Sequence, residues 1–326
     1  MKHTACYHLP GLFEFYELYR LFLPLFREHR EYFYDWCEIG SIYGAPPDCI
    51  WGGGRVEAGE HSPAEVLALT QEYGISARLT FSNSLLRPEH LSDRKCNAVC
   101  QQFAQRGTVQ NGVIVHSELL LNYLQQHYPE LYLVSSTTKV LTDLQAFQAE
   151  VRRPEFRYVV PDFRLNKAFD VLNALSQPEK DKVEFLCNEC CWFGCTERRR
   201  CYEAVSRKNL GEVCEHRCTA PGAQANTSAK VCPGPVLERM LRFPQISSCI
   251  MRALPANTRP TSSTASPARS RREPFGKVSI LAPRQESMVA SSSSEIPEKS
   301  AAAWSVWKNS FIKSSLSLKI QPTCCF

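Results

Sequence analysis

From residue 36 to about residue 190 the chain repeats one pattern: a short apolar run rich in β-branched and aromatic residues, a polar patch, then hydrophobic positions at helical spacing. The apolar runs are WCEIGSIYG (36–44), CIW (49–51), ARLTF (77–81), GVIVH (112–116), LYLVS (131–135), RYVVP (157–161) and KVEFLC (182–187), and each predicts a strand. Helices are predicted over 63–73, 88–105, 117–127 and 138–150, with a shorter one over 166–175. The first of these carries Ser62 as N-cap before Pro63 and Gly74 as C-cap. A further amphipathic helix is expected ahead of the first strand, in LFEFYELYRLFLPLF. Only GAPPD joins the first two runs, which is too short for a helix. Strands alternating with helices imply an α/β protein with a parallel sheet covered by helices. Seven strands at this density suit a TIM-type (β/α) barrel better than a doubly wound open sheet, the alternative. An eighth strand would have to come from beyond residue 220.

Composition agrees with a folded body. The chain has 326 residues, 44% hydrophobic and 22% charged, which excludes a wholly disordered or collagen-like protein. The longest apolar run near the start, Leu21 to Phe26, contains Pro24 and lies between Arg20 and Arg27, far short of the roughly 20 residues that span a bilayer. Glu14 and Glu17 fall where a secretory leader needs an unbroken apolar stretch, so a cytoplasmic location is expected. Thiols stay reduced there, and the 16 cysteines then point to metal or cluster binding, or to burial, ahead of disulfides.

The net charge of +5 averages two unlike segments. Residues 221–326 hold 14 Lys and Arg against 5 Glu, leaving 24 basic against 28 acidic residues for 1–220. All 12 Tyr, all 8 His and every Asp precede this seam, while the tail is rich in Ser, Pro, Ala and Arg. A body over 1–220, with a Cys-rich segment at 187–218, is therefore expected to precede a low-complexity tail at 221–326. Three readings of the tail compete. It is a disordered basic extension; or a nucleic-acid-binding arm, which lacks any accompanying aromatic or glycine pattern; or the product of out-of-frame translation after about residue 222, which also accounts for the loss of Tyr, His and Asp. The third is preferred. On that reading the barrel lacks its last βα unit and leaves unpaired edges at the first and last strands.

Ligands of parallel β/α folds bind at the C-terminal ends of the strands, so the residues just after each run are the candidates. Asp162, His116 and Glu189 are the candidate acid, base or metal-activating groups, since carboxylate and imidazole can activate water. The blander roles are helix capping for Asp162 and structural hydrogen bonding for His116. Arg55, Asn83, Arg164, Asn166 and Asn188 are the candidate ligand-binding groups. In WGGGR the glycines could bring backbone amides close to an anion with Arg55 as counter-ion, although a tight turn explains them equally well. The densest signal is CNECCWFGCTERRRCYEAVSRKNLGEVCEHRC, with seven cysteines in residues 187–218. Cys187, Cys190, Cys191, Cys195 and Cys201 are spaced so that thiolates can converge on an iron-sulfur cluster, or alternatively on zinc. Reduced buried thiols are the competing explanation. GxSxG, HExxH and a Ser-His-Asp order are absent from the sequence.

The runs IYGAPPDCIWGGGR, VVPDFRLN and above all VEFLCNECCWFGCTERRRCYE resemble uncharacterised bacterial barrel proteins related to the collagenase-like peptidases of family U32, over about residues 7–220. The resemblance implies a TIM-type barrel. In several members of the wider family it implies a cysteine-held iron-sulfur cluster used in hydroxylation of RNA or ubiquinone, and in others peptidase activity. The collagenase-like signature is only approximated by VEFLCNECCWFGC, and the last strand with a Lys-x-Glu-Gly-Arg-like phrase expected for the resembling branch is absent. The readings carried forward are a cluster- or metal-binding barrel protein, a peptidase-like hydrolase, and a non-catalytic binding protein with structural cysteines. Peptide and RNA are the candidate substrates.

Overall fold

A computed structural model describes residues 5–54, 59–105, 107–187, 189, 191–216 and 250–252. The alternation read from the sequence is present as strands β1 (Ala5–Pro10), β2 (Cys37–Gly44), β3 (Ser76–Phe81), β4 (Gly112–Val115), β5 (Tyr132–Ser135) and β6 (Phe156–Val159), each paired in parallel with the next. Helices α1 (Tyr16–Glu28), α2 (Pro63–Glu72), α3 (Arg94–Phe103), α4 (Glu118–His127) and α5 (Leu144–Arg152) link consecutive strands. After β6 come α6 (Phe169–Ala174), α7 (Gln177–Asp181), β7 (Glu184–Leu186) and α8 (Arg198–Asn209). The protein is thus an α/β fold with a parallel sheet in the form of a partial barrel. No helix of the described residues is long and apolar enough to cross a membrane.

Local chemistry sets the boundaries. Ser62 closes a capping box with Glu65 ahead of Pro63, and Gly74 ends α2 at φ +64, as expected. The helix expected over 88–105 is broken. Asp93 caps the Cys96 amide at 2.7 Å, so a 3-10 turn (Pro88–Ser92) precedes α3. The segment 138–150 is divided likewise: Val140 is left-handed at φ +51 and Asp143 caps Ala146.

Two strand expectations need correction. CIW is not a strand, because Asp48 at φ +56 turns the chain and the Trp51 carbonyl accepts from the Asn83 amide at the end of β3. Burial of Cys49 and Trp51 made the triplet apolar without any ladder. Conversely, ACYHLP forms β1, ahead of the helix that was expected to come first. Residues 250–252 form β8 between β1 and β7, antiparallel to both. Of the two edges expected to be open, that of the first predicted strand, now β2, is paired with β1, and that of the last, β7, with β8. On the other side of β7, Val183 bridges Val159 of β6 in parallel. The remaining tail, and with it the expectations of disorder or out-of-frame origin, lies outside the described residues.

The strands' two faces differ in kind. Leu79, Phe81, Val113, Val115, Leu133 and Phe156 pack in one core with residues of the surrounding helices, such as Val66, Phe103, Leu120 and Phe147. The other face holds a separate cluster of Ile114, Tyr132, Val134, Tyr158, Val160 and Leu186. It also holds a buried polar group. Arg78 of β3 makes two hydrogen bonds, 2.8 and 2.9 Å, to Glu184 of β7, strands that are not neighbours, so the pair crosses the interior. Arg78 Nε donates to Tyr132 Oη at 2.7 Å, His8 Nε2 lies 3.1 Å from Glu184, and His8 Nδ1 is 2.8 Å from Ser41 Oγ. Burial opposes ionisation of Glu184, but Arg78 and His8 outweigh it and hold the carboxyl at about 2.

Candidate functional site

Helix α8 lies over the C-terminal ends of the strands, and its sequence explains why. Arg198, Cys201, Tyr202, Val205 and Ser206 are its buried positions, spaced three and four apart on one face. Arg198 Nε stands 3.2 Å from Asp162 beyond β6, and Ser206 Oγ accepts from the Ser84 amide beyond β3 at 3.1 Å. Asn209 Nδ2 donates to the Gly52 carbonyl at 2.7 Å. Gly53 is needed for the same packing, since a Cβ there would sit 2.3 Å from the Ser82 carbonyl group. The close approach made by this glycine run is therefore to the chain itself.

Two adjoining groups of side chains occupy the mouth. The first is an ionic cluster about Arg198, which is 1% exposed. Its guanidinium contacts Asp162 and, at 2.6 Å, Glu189, and donates to Tyr202 Oη at 2.9 Å. Asp162 also pairs with Arg164 at 2.6 Å, and Arg164 Nη1 donates to the Cys195 carbonyl at 3.0 Å. Glu189 accepts from the Cys191 amide at 3.1 Å, and Asn166 Nδ2 from the same corner donates to the Leu186 carbonyl. Burial works against the charge of Arg198, and Tyr202 and Glu189 more than compensate, raising its pKa. Both carboxylates are held as ion-pair partners of Arg198.

The second group lines a cleft of about 200 Å³ between α8 and the ends of β4 and β5: His116, Thr138, Lys139, Arg199, Tyr202 and Glu203. His116 Nδ1 is 2.8 Å from Thr138 Oγ1, which in turn donates to Ser136. Burial, and then the charges of Lys139 and Arg199, push the imidazole down to about 4, so it is neutral near pH 7. Lys139 is itself clamped, 2.6 Å from Glu150 and 3.1 Å from Glu118. Tyr202 belongs to both groups: it lines the cleft, and its hydroxyl accepts from Arg198.

The expected catalytic residues thus divide: Asp162 and Glu189 meet on Arg198, and His116 stands in the adjoining cleft. Of the ligand-binding set, Arg164 and Asn166 join the ionic cluster. Asn83 is fully buried and ties the loops together, donating to the Ile50 and Ser206 carbonyls and accepting from the Leu85 amide. Arg55, Asn188 and Cys190 lie outside the described residues. Cys187 and Cys191 are half-buried, and Cys195 and Cys201 buried. Cys201 Sγ is 3.0 Å from His216 Nε2, but among the described residues no three His, Cys, Asp or Glu side chains converge as metal ligands. The described donors supply a pair where a structural zinc site takes four. Arg198, Tyr202 and Glu203 were not anticipated, although the three-and-four spacing of Arg198, Cys201, Tyr202 and Val205 marks a buried helical face in the sequence.

The fold and site define an α/β protein with a partial barrel and a polar cleft at its strand ends. No protein-family model matches the sequence, and no curated protein does. A solved structure described as that of a U32 peptidase is similar with a TM-score of 0.40 and 15% sequence identity, covering 54% of this chain and 72% of that one.

Proposed function

We propose that the chain is an acid–base enzyme of hydrolytic type, acting on a small polar substrate in the cleft between α8 and the ends of β4 and β5. The observation that carries this reading is that a neutral, half-buried imidazole, His116, lines one cleft with Tyr202, whose hydroxyl accepts from the Arg198 guanidinium. A neutral imidazole accepts a proton, and a phenol polarised by a guanidinium donates one. Arg198 is the positioning residue in this scheme, orienting Tyr202 from its place between Asp162 and Glu189. Among the substrates raised by the sequence, peptides of the shortest kind, dipeptides, suit a cleft of about 200 Å³ better than an RNA strand. Hydrolysis of a short-peptide library by the full chain, compared with His116→Gln and Tyr202→Phe, tests the reading. Turnover by the wild type that falls about a hundredfold in either variant supports it. Turnover unchanged in both, or cleavage of RNA alone, removes it.

A second reading keeps the metal. The 3.0 Å approach of Cys201 Sγ to His216 Nε2 favours it, with Cys195 buried close by in sequence and Cys190 and Cys218 as further donors from the same segment. The group would be iron-sulfur or zinc, either structural or, as an iron-sulfur cluster, serving a modification reaction. Iron, sulfide and zinc analysis of anaerobically purified protein decides it. Less than stoichiometric metal in the wild type, or unchanged metal content in Cys201→Ser, would rule it out.

A further inference from the structure

Arg199 and Glu203 stand four positions apart on α8, a spacing at which opposite charges pair readily. Here they do not. Arg199 Nη2 reaches the Lys139 carbonyl at 3.4 Å, and neither side chain makes an ion pair among the described residues. Both line the same cleft, which thereby presents one unpaired guanidinium and one unpaired carboxylate about a helical turn apart. Its other cation, Lys139, is engaged by Glu150 and Glu118.

We propose that the cleft binds a zwitterion, a free α-amino acid by chemical class, with its carboxylate on Arg199 and its ammonium on Glu203. This rests on the reading that the cleft is the working site and names the product class that hydrolysis of a dipeptide would leave there. A simple anion would meet Arg199 but also the repulsion of Glu203, and a simple cation the reverse. A zwitterion satisfies both. Size argues the same way: about 200 Å³ is below the roughly 300–1,000 Å³ of pockets for drug-sized ligands, so a molecule of a few heavy atoms is called for. Leu85 supplies an apolar wall and Ser84 a hydroxyl, which suits a small side chain. A neutral His116 adds a hydrogen-bonding group without adding charge.

The test is calorimetric titration of the full chain with glycine, L-alanine and L-serine, set beside propionate and ethylamine, which each carry one of alanine's two charges. Saturable binding of L-alanine with propionate and ethylamine at least about tenfold weaker is the expected result. Arg199→Gln and Glu203→Gln should each weaken L-alanine by about tenfold, and Glu203→Gln should leave propionate equal or tighter. Propionate binding as tightly as L-alanine would make this an anion site and overturn the proposal. So would the absence of saturable binding by all three amino acids to a protein that unfolds cooperatively. L-alanine binding that persists in His116→Gln supports the zwitterion site even where no turnover is found. Peptide turnover by a protein that ignores all three amino acids overturns this site and leaves the acid–base reading standing.

Discussion

Removing one partner of the Arg78–Glu184 pair should be among the most damaging single changes to the barrel. In Glu184→Gln the Arg78 guanidinium stays 1% exposed but loses the carboxylate that accepts its 2.8 and 2.9 Å hydrogen bonds, and His8 loses its anionic neighbour at 3.1 Å. At a separation of 2.8 Å and an effective dielectric of about 20, the attraction lost is of order 6 kcal/mol. Tyr132, whose hydroxyl accepts from Arg78 Nε and whose ring lies 5.3 Å from the guanidinium carbon, keeps part of the stabilisation. A net cost of about 3–5 kcal/mol is expected, as for other buried pairs deprived of one partner. With a urea dependence of about 2–3 kcal/mol per molar, the midpoint should fall by roughly 1–2.5 M at unchanged slope. The control is the double change Arg78→Met with Glu184→Leu, which removes both charges and should be much less harmful than the sum of the single changes. The exposed pair Arg20–Glu17 gives the opposite reference and should contribute about 0–1 kcal/mol. If Glu184→Gln costs less than about 1 kcal/mol, or the double change is additive, then the pair does not act as a buried charge couple and the account of the interior is wrong.

Further tests follow from the mouth of the barrel. His116 titrates at about 4 in the folded chain against roughly 6.5 unfolded, so the unfolded state binds the extra proton between those values. Stability should therefore fall as pH drops from about 6.5 to 4, by up to about 3 kcal/mol, and urea midpoints across that range should be flatter in His116→Gln. The acidic limb of any turnover should lie near pH 4, where the acceptor is protonated; a limb near 6.5 would contradict the buried setting of the ring. Gly53→Ala would place a Cβ 2.3 Å from the backbone of Ser82, so the loop under α8 must shift, at a cost of about 1–3 kcal/mol. Wild-type stability and activity in Gly53→Ala would show that the loop has slack there.

Which parts could be read beforehand follows from what each face of the sheet does. Strands β2 to β7 were legible because Leu79, Phe81, Val113 and Val115 must be apolar to pack under helices, and the caps at Ser62 and Gly74 punctuate the repeat. The strand β1 was missed because one of its positions, His8, faces a polar interior, so the usual apolar pattern is interrupted. CIW misled for the converse reason, since its buried residues belong to a turn. The Arg78–Glu184 pair could not be found by spacing at all: its members are 106 residues apart and meet only when the sheet curves.

The candidate site shows the same division. Strand ends could be listed from the sequence, and Asp162, Arg164, Asn166 and Glu189 do gather at one corner of the mouth. What a strand-end rule omits is a helix returning across those ends. The phrase TERRRCYE draws attention to its cysteine, yet the arginines and tyrosine around it do the organising: Arg198 turns inward to join two carboxylates, while Arg199, one position on, faces the cleft. Adjacent residues on a helix point about 100° apart, so a run of three arginines cannot act as one charged patch. Arg200 completes the point, pairing at 2.9 Å with Glu197 where the side chain is exposed. Three identical side chains thus take three roles, interior clamp, cleft cation and surface ion pair. The role of each is set by the angle at which α8 crosses the strand ends and cannot be inferred from the residue type.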